Sequence, residues 1–114
     1  MNMFRFAFAI ELLLVLACDS GDDSGSPPDA PEQLEVAAVV GGAHLTWADA
    51  SDDEDEYAIE RKPDGGAFEE LGTVPFDTTQ YHDGTATTGT WVYRVGARND
   101  AGEGWSAEVS VTIE

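Results

Sequence analysis

Residues 91–99 read Trp-Val-Tyr-Arg-Val-Gly-Ala-Arg-Asn. Trp91, Tyr93, Val95 and Ala97 alternate with Val92, Arg94, Gly96 and Arg98. One side of an extended segment is therefore apolar, and the other carries two arginines. A period of two marks a strand with one face on a core. The segment runs into Asn99-Asp100-Ala101-Gly102, a cluster of turn formers that ends it.

The same alternation recurs on both sides. Val109, Val111 and Ile113 alternate with Ser110 and Thr112. Towards the N-terminus, Tyr57 and Ile59 alternate with Ala58 and Glu60, Leu45 and Trp47 with His44 and Thr46, and Leu34 and Val36 with Gln33 and Glu35. Phe68 with Leu71, and Tyr81, suit two shorter strands. Gly41-Gly42, Pro63-Asp64-Gly65-Gly66 and Asp83-Gly84 punctuate these runs. Seven short strands at this spacing predict an all-β fold, a seven-stranded antiparallel sandwich over residues 31–114. Trp47, Trp91, Tyr57, Tyr93, Phe68 and Tyr81 are expected to supply its bulky apolar area, at about 25 cal/mol per Å² buried.

In order and spacing, these residues resemble the fibronectin type III domain, an immunoglobulin-like sandwich. Pro31, Leu34 and Val36 look like its first strand, and Leu45-Thr46-Trp47 like its second, with Trp47 as the core tryptophan. Asp49, Ser51, Tyr57, Ile59, Glu60 and Arg61 follow the form of bacterial members. Tyr93-Arg94-Val95, Ala97, Asn99, Ala101-Gly102 and Ser106 look like the sixth strand, its loop and the entry to the last strand. The family usually has a tyrosine eight residues before Asn99, whose hydroxyl bonds back to the chain at the corner before the sixth strand. Here that residue is Trp91. Indole offers a donor and no hydroxyl, so packing or a different bond from the indole N–H is expected to hold the corner.

Residues 1–17, MNMFRFAFAIELLLVLA, carry one base, Arg5, ahead of an apolar run interrupted by Glu11. The run is too short for a membrane span of about 20 residues and fits a signal peptide. It meets Val15-Leu16-Ala17-Cys18, which resembles the lipobox of bacterial lipoproteins. The resemblance implies that Cys18, the chain's one cysteine, becomes a lipidated N-terminus anchored to the cell envelope, on its periplasmic face or cell surface. The same residues also suit ordinary secretion or an uncleaved N-terminal anchor. Residues 18–30 then read as the lipidated Cys and a disordered acidic linker, because Asp, Ser, Gly and Pro bury too little apolar area to offset chain entropy.

Of the 114 residues, 23 are acidic and 5 basic, for a net charge of −18. Scarce bases exclude nucleic acid as a partner, since phosphate binding needs clustered Lys and Arg. No nucleophile elbow, ligand-spaced histidine pair or phosphate-cradling loop is present, so neither an enzyme nor a cofactor is expected. His44 reads as an exposed strand residue and His82 as a strand-end neighbour of Asp83. The stretch from Asp49 to Glu56 holds six acids in eight residues. Its spacing fails the helix-loop-helix calcium pattern, because Glu54 stands where Gly is required. A solvated acidic loop is the favoured reading, and an irregular Ca²⁺ site on Asp49, Asp52, Asp53 and Asp55 the alternative.

Alternating strand direction places three segments at one pole of the sandwich: the N-terminal end, the 49–56 loop and the 99–105 loop. Asp49, Asp52, Asp53, Glu54, Asp55, Glu56, Asp100, Glu103 and Trp105 form this candidate binding pole, which faces the membrane side because the tether leaves from it. Arg61, Lys62 and the 63–66 turn occupy the opposite pole. The expectation is a membrane-anchored, non-catalytic module that binds a protein or glycan, with a basic partner suiting the charge. The alternative is a Ca²⁺-dependent or polysaccharide-proximal accessory to envelope or secreted enzymes.

Overall fold

The computed structural model describes residues 26–114. The expected signal peptide, Cys18 and expected linker residues 19–25 lie outside the described residues. Eight strands follow: β1 Glu32–Val39, β2 Gly42–Ala48, β3 Glu56–Pro63, β4 Glu69–Pro75, β5 Gln80–Asp83, β6 Gly89–Asn99, β7 Gly102–Trp105 and β8 Val109–Ile113. One sheet has the order β1-β2-β5. The other runs β8-β6-β3-β4, with β7 also on β6, and every pairing is antiparallel. Among the described residues no helix is long and apolar enough to cross a membrane.

The eighth strand, β7, falls in the 99–105 segment expected as a loop, ahead of the expected last strand. β3 pairs along most of one edge of β6, and β7 and β8 share its other edge, at residues 96–99 and 89–93. Ser106 sits between them. Its amide donates to the Val95 carbonyl at 2.9 Å, but the Val95 amide donates to Ser106 Oγ, at 3.0 Å, where a backbone carbonyl would serve in a regular ladder. A side chain has replaced a backbone acceptor, so the edge strand divides there.

The core lies between the sheets. Leu34, Ala43, Leu45 and Trp47 from one meet Tyr57, Ile59, Tyr93, Val95 and Ala97 from the other, all buried. Trp47 meets Tyr57 edge-on, with ring centroids 5.5 Å apart, the geometry favoured by aromatic quadrupoles. Tyr81 and Trp91 pack partly buried against this cluster. Phe68, expected in the core, lies outside it. It precedes β4, with the Arg94 guanidinium 4.2 Å and the Lys62 ammonium 5.0 Å from its ring. The corner before β6 is held as the indole chemistry requires: Trp91 Nε1 donates to the Thr87 carbonyl at 2.8 Å.

Packed chain begins ahead of Pro31. Pro28 and Pro31 are buried. The Pro28 carbonyl occupies the space that a side chain on Gly104 would fill, so only glycine lets the N-terminal segment lie on β7. The last residues of the expected linker, 26–30, therefore belong to the folded unit, because their prolines find apolar contact there.

Candidate functional site

The acidic pole is built around one buried carboxylate. Glu54 is 7 % exposed. Its Oε1 accepts from Ser51 Oγ at 2.8 Å, and its Oε2 accepts from the Tyr57 hydroxyl at 3.3 Å and from the Asp77 amide at 3.4 Å. A buried carboxylate needs such donors to offset the loss of water. Here it ties the 49–55 loop to the loop after β4. The Asp49 carboxylate accepts from the Ser51 amide at 3.1 Å, which closes a local turn.

A second clamp joins this loop to the β6–β7 hairpin. The Asp55 amide donates to the Arg98 carbonyl at 2.7 Å. Asn99 Nδ2 donates to the Asp53 carbonyl at 3.2 Å and to the Ser26 carbonyl at 3.1 Å. The N-terminal segment, the 49–55 loop and the hairpin thus meet at Asn99. Between the first two lies an open cleft of about 560 Å³, lined by Ser26, Pro27, Asp29, Asp49, Ala50, Ser51, Asp52 and Asp53.

Apart from Asp49 and Glu54, the expected pole residues divide into three groups. Asp52, Asp53, Asp55 and Asp100 are exposed, and none of them has a cationic partner among the described residues. Glu56 and Glu103 are engaged by Arg98, at 3.1 Å each, and Glu70 completes that network at 3.0 Å. These bonds, that to Glu70 foremost, raise the Arg98 pKa. Trp105 is set apart on the outer face of the larger sheet. Its ring lies flat on Gly96, where an added Cβ would come within 2.6 Å, and Arg94 covers it at 4.2 Å. The indole is half-buried and already engaged by Arg94.

Two residues of the pole were not anticipated. Asp77 follows β4, and the register that sets Glu56 opposite Pro75 returns it to the acidic loop. Its φ of +66° is a left-handed conformation that Asp tolerates better than most residues. Phe76, beside it, is 59 % exposed. Neither position carries a motif; only the length of the β3–β4 hairpin could have revealed them.

Ligand oxygens of Asp49, Glu54 and Asp77 lie within 4.8 Å of one another. Among the described residues this trio could hold a hard cation; of the expected Asp49, Asp52, Asp53 and Asp55 it includes Asp49 alone. The Tyr57 hydroxyl lowers the Asp49 pKa, while desolvation and then the charges of Asp49 and Glu54 raise that of Asp77. Burial, reinforced by the same two carboxylates, pushes the Tyr57 phenol well up, so it remains a donor.

No protein-family model matches the sequence, and no curated protein does. Solved structures do resemble it. A Fn3-like protein from Clostridium thermocellum is 29% identical over 78% of this chain and 96% of its own, with a TM-score of 0.64. An FN3 domain of human collagen XX is 22% identical over 76% of this chain and 96% of its own, with a TM-score of 0.61. A β-1,2-glucanase from Parabacteroides distasonis is 24% identical over 77% of this chain, with a TM-score of 0.66. Some matched chains are far longer: this chain spans 13% of the glucanase and 33% of a titin fragment. Two antiparallel sheets, the core tryptophan and these likenesses agree: the chain carries the fibronectin type III fold.

Proposed function

We propose that the protein is a non-catalytic interaction module that takes a basic protein partner at its acidic pole and is displayed on a bacterial envelope membrane by lipid on Cys18. The observation that carries this reading is the set of exposed carboxylates of Asp52, Asp53 and Asp55, without cationic partners among the described residues, on a loop fixed by Glu54 and Asn99. A loop ordered before binding loses little entropy on complex formation. Exposed Phe76 beside it supplies an apolar anchor of the kind that dominates protein interfaces. Arg94 stacked at 4.2 Å on Trp105 favours a protein over a glycan, which would need an open aromatic platform. The N-terminal segment docks at this pole, so a lipid on Cys18 would keep the pole on the membrane side.

Amide NMR shifts during titration with a Lys/Arg-rich peptide test this reading. Changes confined to residues 49–55, 76–77 and 99–103, and abolished by Asp52→Asn with Asp53→Asn and Asp55→Asn, support it. Changes spread over the surface, or none at low salt, refute it. An intact mass from the membrane fraction that begins at Cys18 and includes acyl chains tests the anchor.

The second reading is a Ca²⁺-dependent accessory to a glycan-active enzyme. It draws on Asp49, Glu54 and Asp77 and on the occurrence of this fold within a glucanase chain. A melting shift with Ca²⁺ that equal ionic strength of NaCl does not reproduce would favour it.

A further inference from the structure

We propose that His44 and His82 together bind a late first-row divalent metal ion of the Zn²⁺ class on the outer face of the β1-β2-β5 sheet. The chain has two histidines, far apart in sequence, and the fold sets them directly opposite each other on β2 and β5. The Trp47 amide donates to the Thr79 carbonyl at 3.0 Å. That bond fixes the parity of the ladder: positions 47/79, 45/81 and 43/83 are hydrogen-bonded pairs, and His44–His82 is a non-hydrogen-bonded pair. Side chains approach each other most closely at such pairs.

The imidazole rings are tilted by 38°, with centroids 6.2 Å apart. A metal about 2.0–2.1 Å from one nitrogen of each ring, at a tetrahedral angle, would set the centroids roughly 5 Å apart. Side-chain rotations would close that gap, and both rings are accessible: His44 is half-buried and His82 exposed. Glu35, on β1, lines a shallow depression with His44 and Thr46; the two imidazoles are the protein ligands, and water completes the coordination shell. The net charge of −18 concentrates cations around the domain. Ligand type then selects among them, because imidazole suits Zn²⁺, Cu²⁺ and Ni²⁺, whereas the all-oxygen set at the acidic pole suits Ca²⁺. The two sites are separate. A metal held here clasps β2 to β5 and binds only the folded chain.

The test is a ZnCl₂ titration of the full chain at pH 7.5, with Cys18→Ser in every sample so that the thiol does not compete, read by NMR of the histidine rings. The expected result is that both rings shift together and saturate near one equivalent. His44→Gln and His82→Gln should each weaken binding at least tenfold, while Asp49→Asn leaves it unchanged. Zn²⁺ should raise the melting temperature of the parent but not of His82→Gln, whose fold is checked by its own melt without metal. The proposal is overturned if Zn²⁺ shifts only signals of the acidic pole, or if either single variant binds as tightly as the parent.

Discussion

The Tyr93 hydroxyl donates to Asp83 Oδ2 at 2.6 Å, and so joins β6 of one sheet to the last residue of β5 in the other. Arg61 Nη1 reaches the same oxygen at 2.8 Å, and Thr85 donates to Oδ1 through both its amide and its hydroxyl. Asp83 is only 2 % exposed. Every contact it makes is with a donor, so the charge is compensated as completely as a buried carboxylate requires.

Asp83→Ala should therefore destabilise the fold severely. It leaves the Arg61 guanidinium, itself 12 % exposed, and the buried Tyr93 hydroxyl without their partner. Loss of one member of such a pair costs about 3–5 kcal/mol. Tyr93→Phe removes one charge-assisted bond, worth about 1.5–3 kcal/mol. Urea midpoints at unchanged slope would measure both, and a loss below about 1 kcal/mol for Asp83→Ala would contradict the argument.

The same carboxylate sets an acid limit. Burial pushes the Asp83 pKa up, but the bonds from Tyr93, Thr85 and Arg61 outweigh it and hold it below the ordinary value. A folded-state pKa below the unfolded value of about 3.9 means that the ionised form stabilises the fold. That contribution is complete above the unfolded pKa and is lost as pH falls through the folded one. Asp83→Asn should flatten the fall in stability below about pH 4. Melts of both proteins between pH 2 and pH 7 would show it, and parallel curves would refute it.

Trp91→Phe tests the corner before β6. Phenylalanine keeps the partly buried ring but removes the 2.8 Å bond from the indole to Thr87. The expected loss is about 1 kcal/mol, with a further contribution from the weaker attraction to Arg61, which lies 4.3 Å above the ring. Faster amide exchange at residues 87–91 should accompany the loss.

What the chain discloses before folding follows from which forces are local. Alternation at Leu45–Trp47, Tyr57–Ile59 and Tyr93–Ala97 marks buried faces because the pleat itself has a period of two, and all of these apolar residues are buried. Phe68 and Trp105 misled because an aromatic ring can be satisfied on an outer sheet face when arginine covers it, and that depends on cross-strand neighbours. The acidic run at 49–56 was legible as charge. Which of its carboxylates would be buried was not, because Glu54 owes its burial to Tyr57 and to the Asp77 amide from another hairpin.

Gly96→Ala should unseat Trp105. A Cβ at this position would lie 2.6 Å from the indole ring, closer than packed carbon atoms approach, and Gly96 is itself buried in the centre of β6. The ring must move away and release its contact with Arg94. The expected cost is about 1–3 kcal/mol, typical of overpacking. A red shift and increased quenching of tryptophan fluorescence should accompany it. An unchanged spectrum would mean that the ring does not rest there.

Salt sets two electrostatic effects against each other. Raising ionic strength weakens the exposed bonds from Arg98 to Glu56, Glu70 and Glu103, each worth little at a surface. It also screens the repulsion among the chain's net 18 negative charges, most of which lie in the folded domain. The second effect should dominate, so the melting temperature should rise from low to moderate NaCl. Asp77→Asn isolates the repulsive part. Desolvation and the charges of Asp49 and Glu54 raise the Asp77 pKa. Its ionised form therefore opposes folding at neutral pH, and that penalty fades as pH falls through the raised folded value. Asn keeps the left-handed turn that Asp77 adopts while removing the charge. The variant should melt higher than the parent at pH 7 in low salt and show a shallower rise with NaCl. A lower melting temperature under those conditions would mean that the Asp77 charge is compensated by something other than solvent.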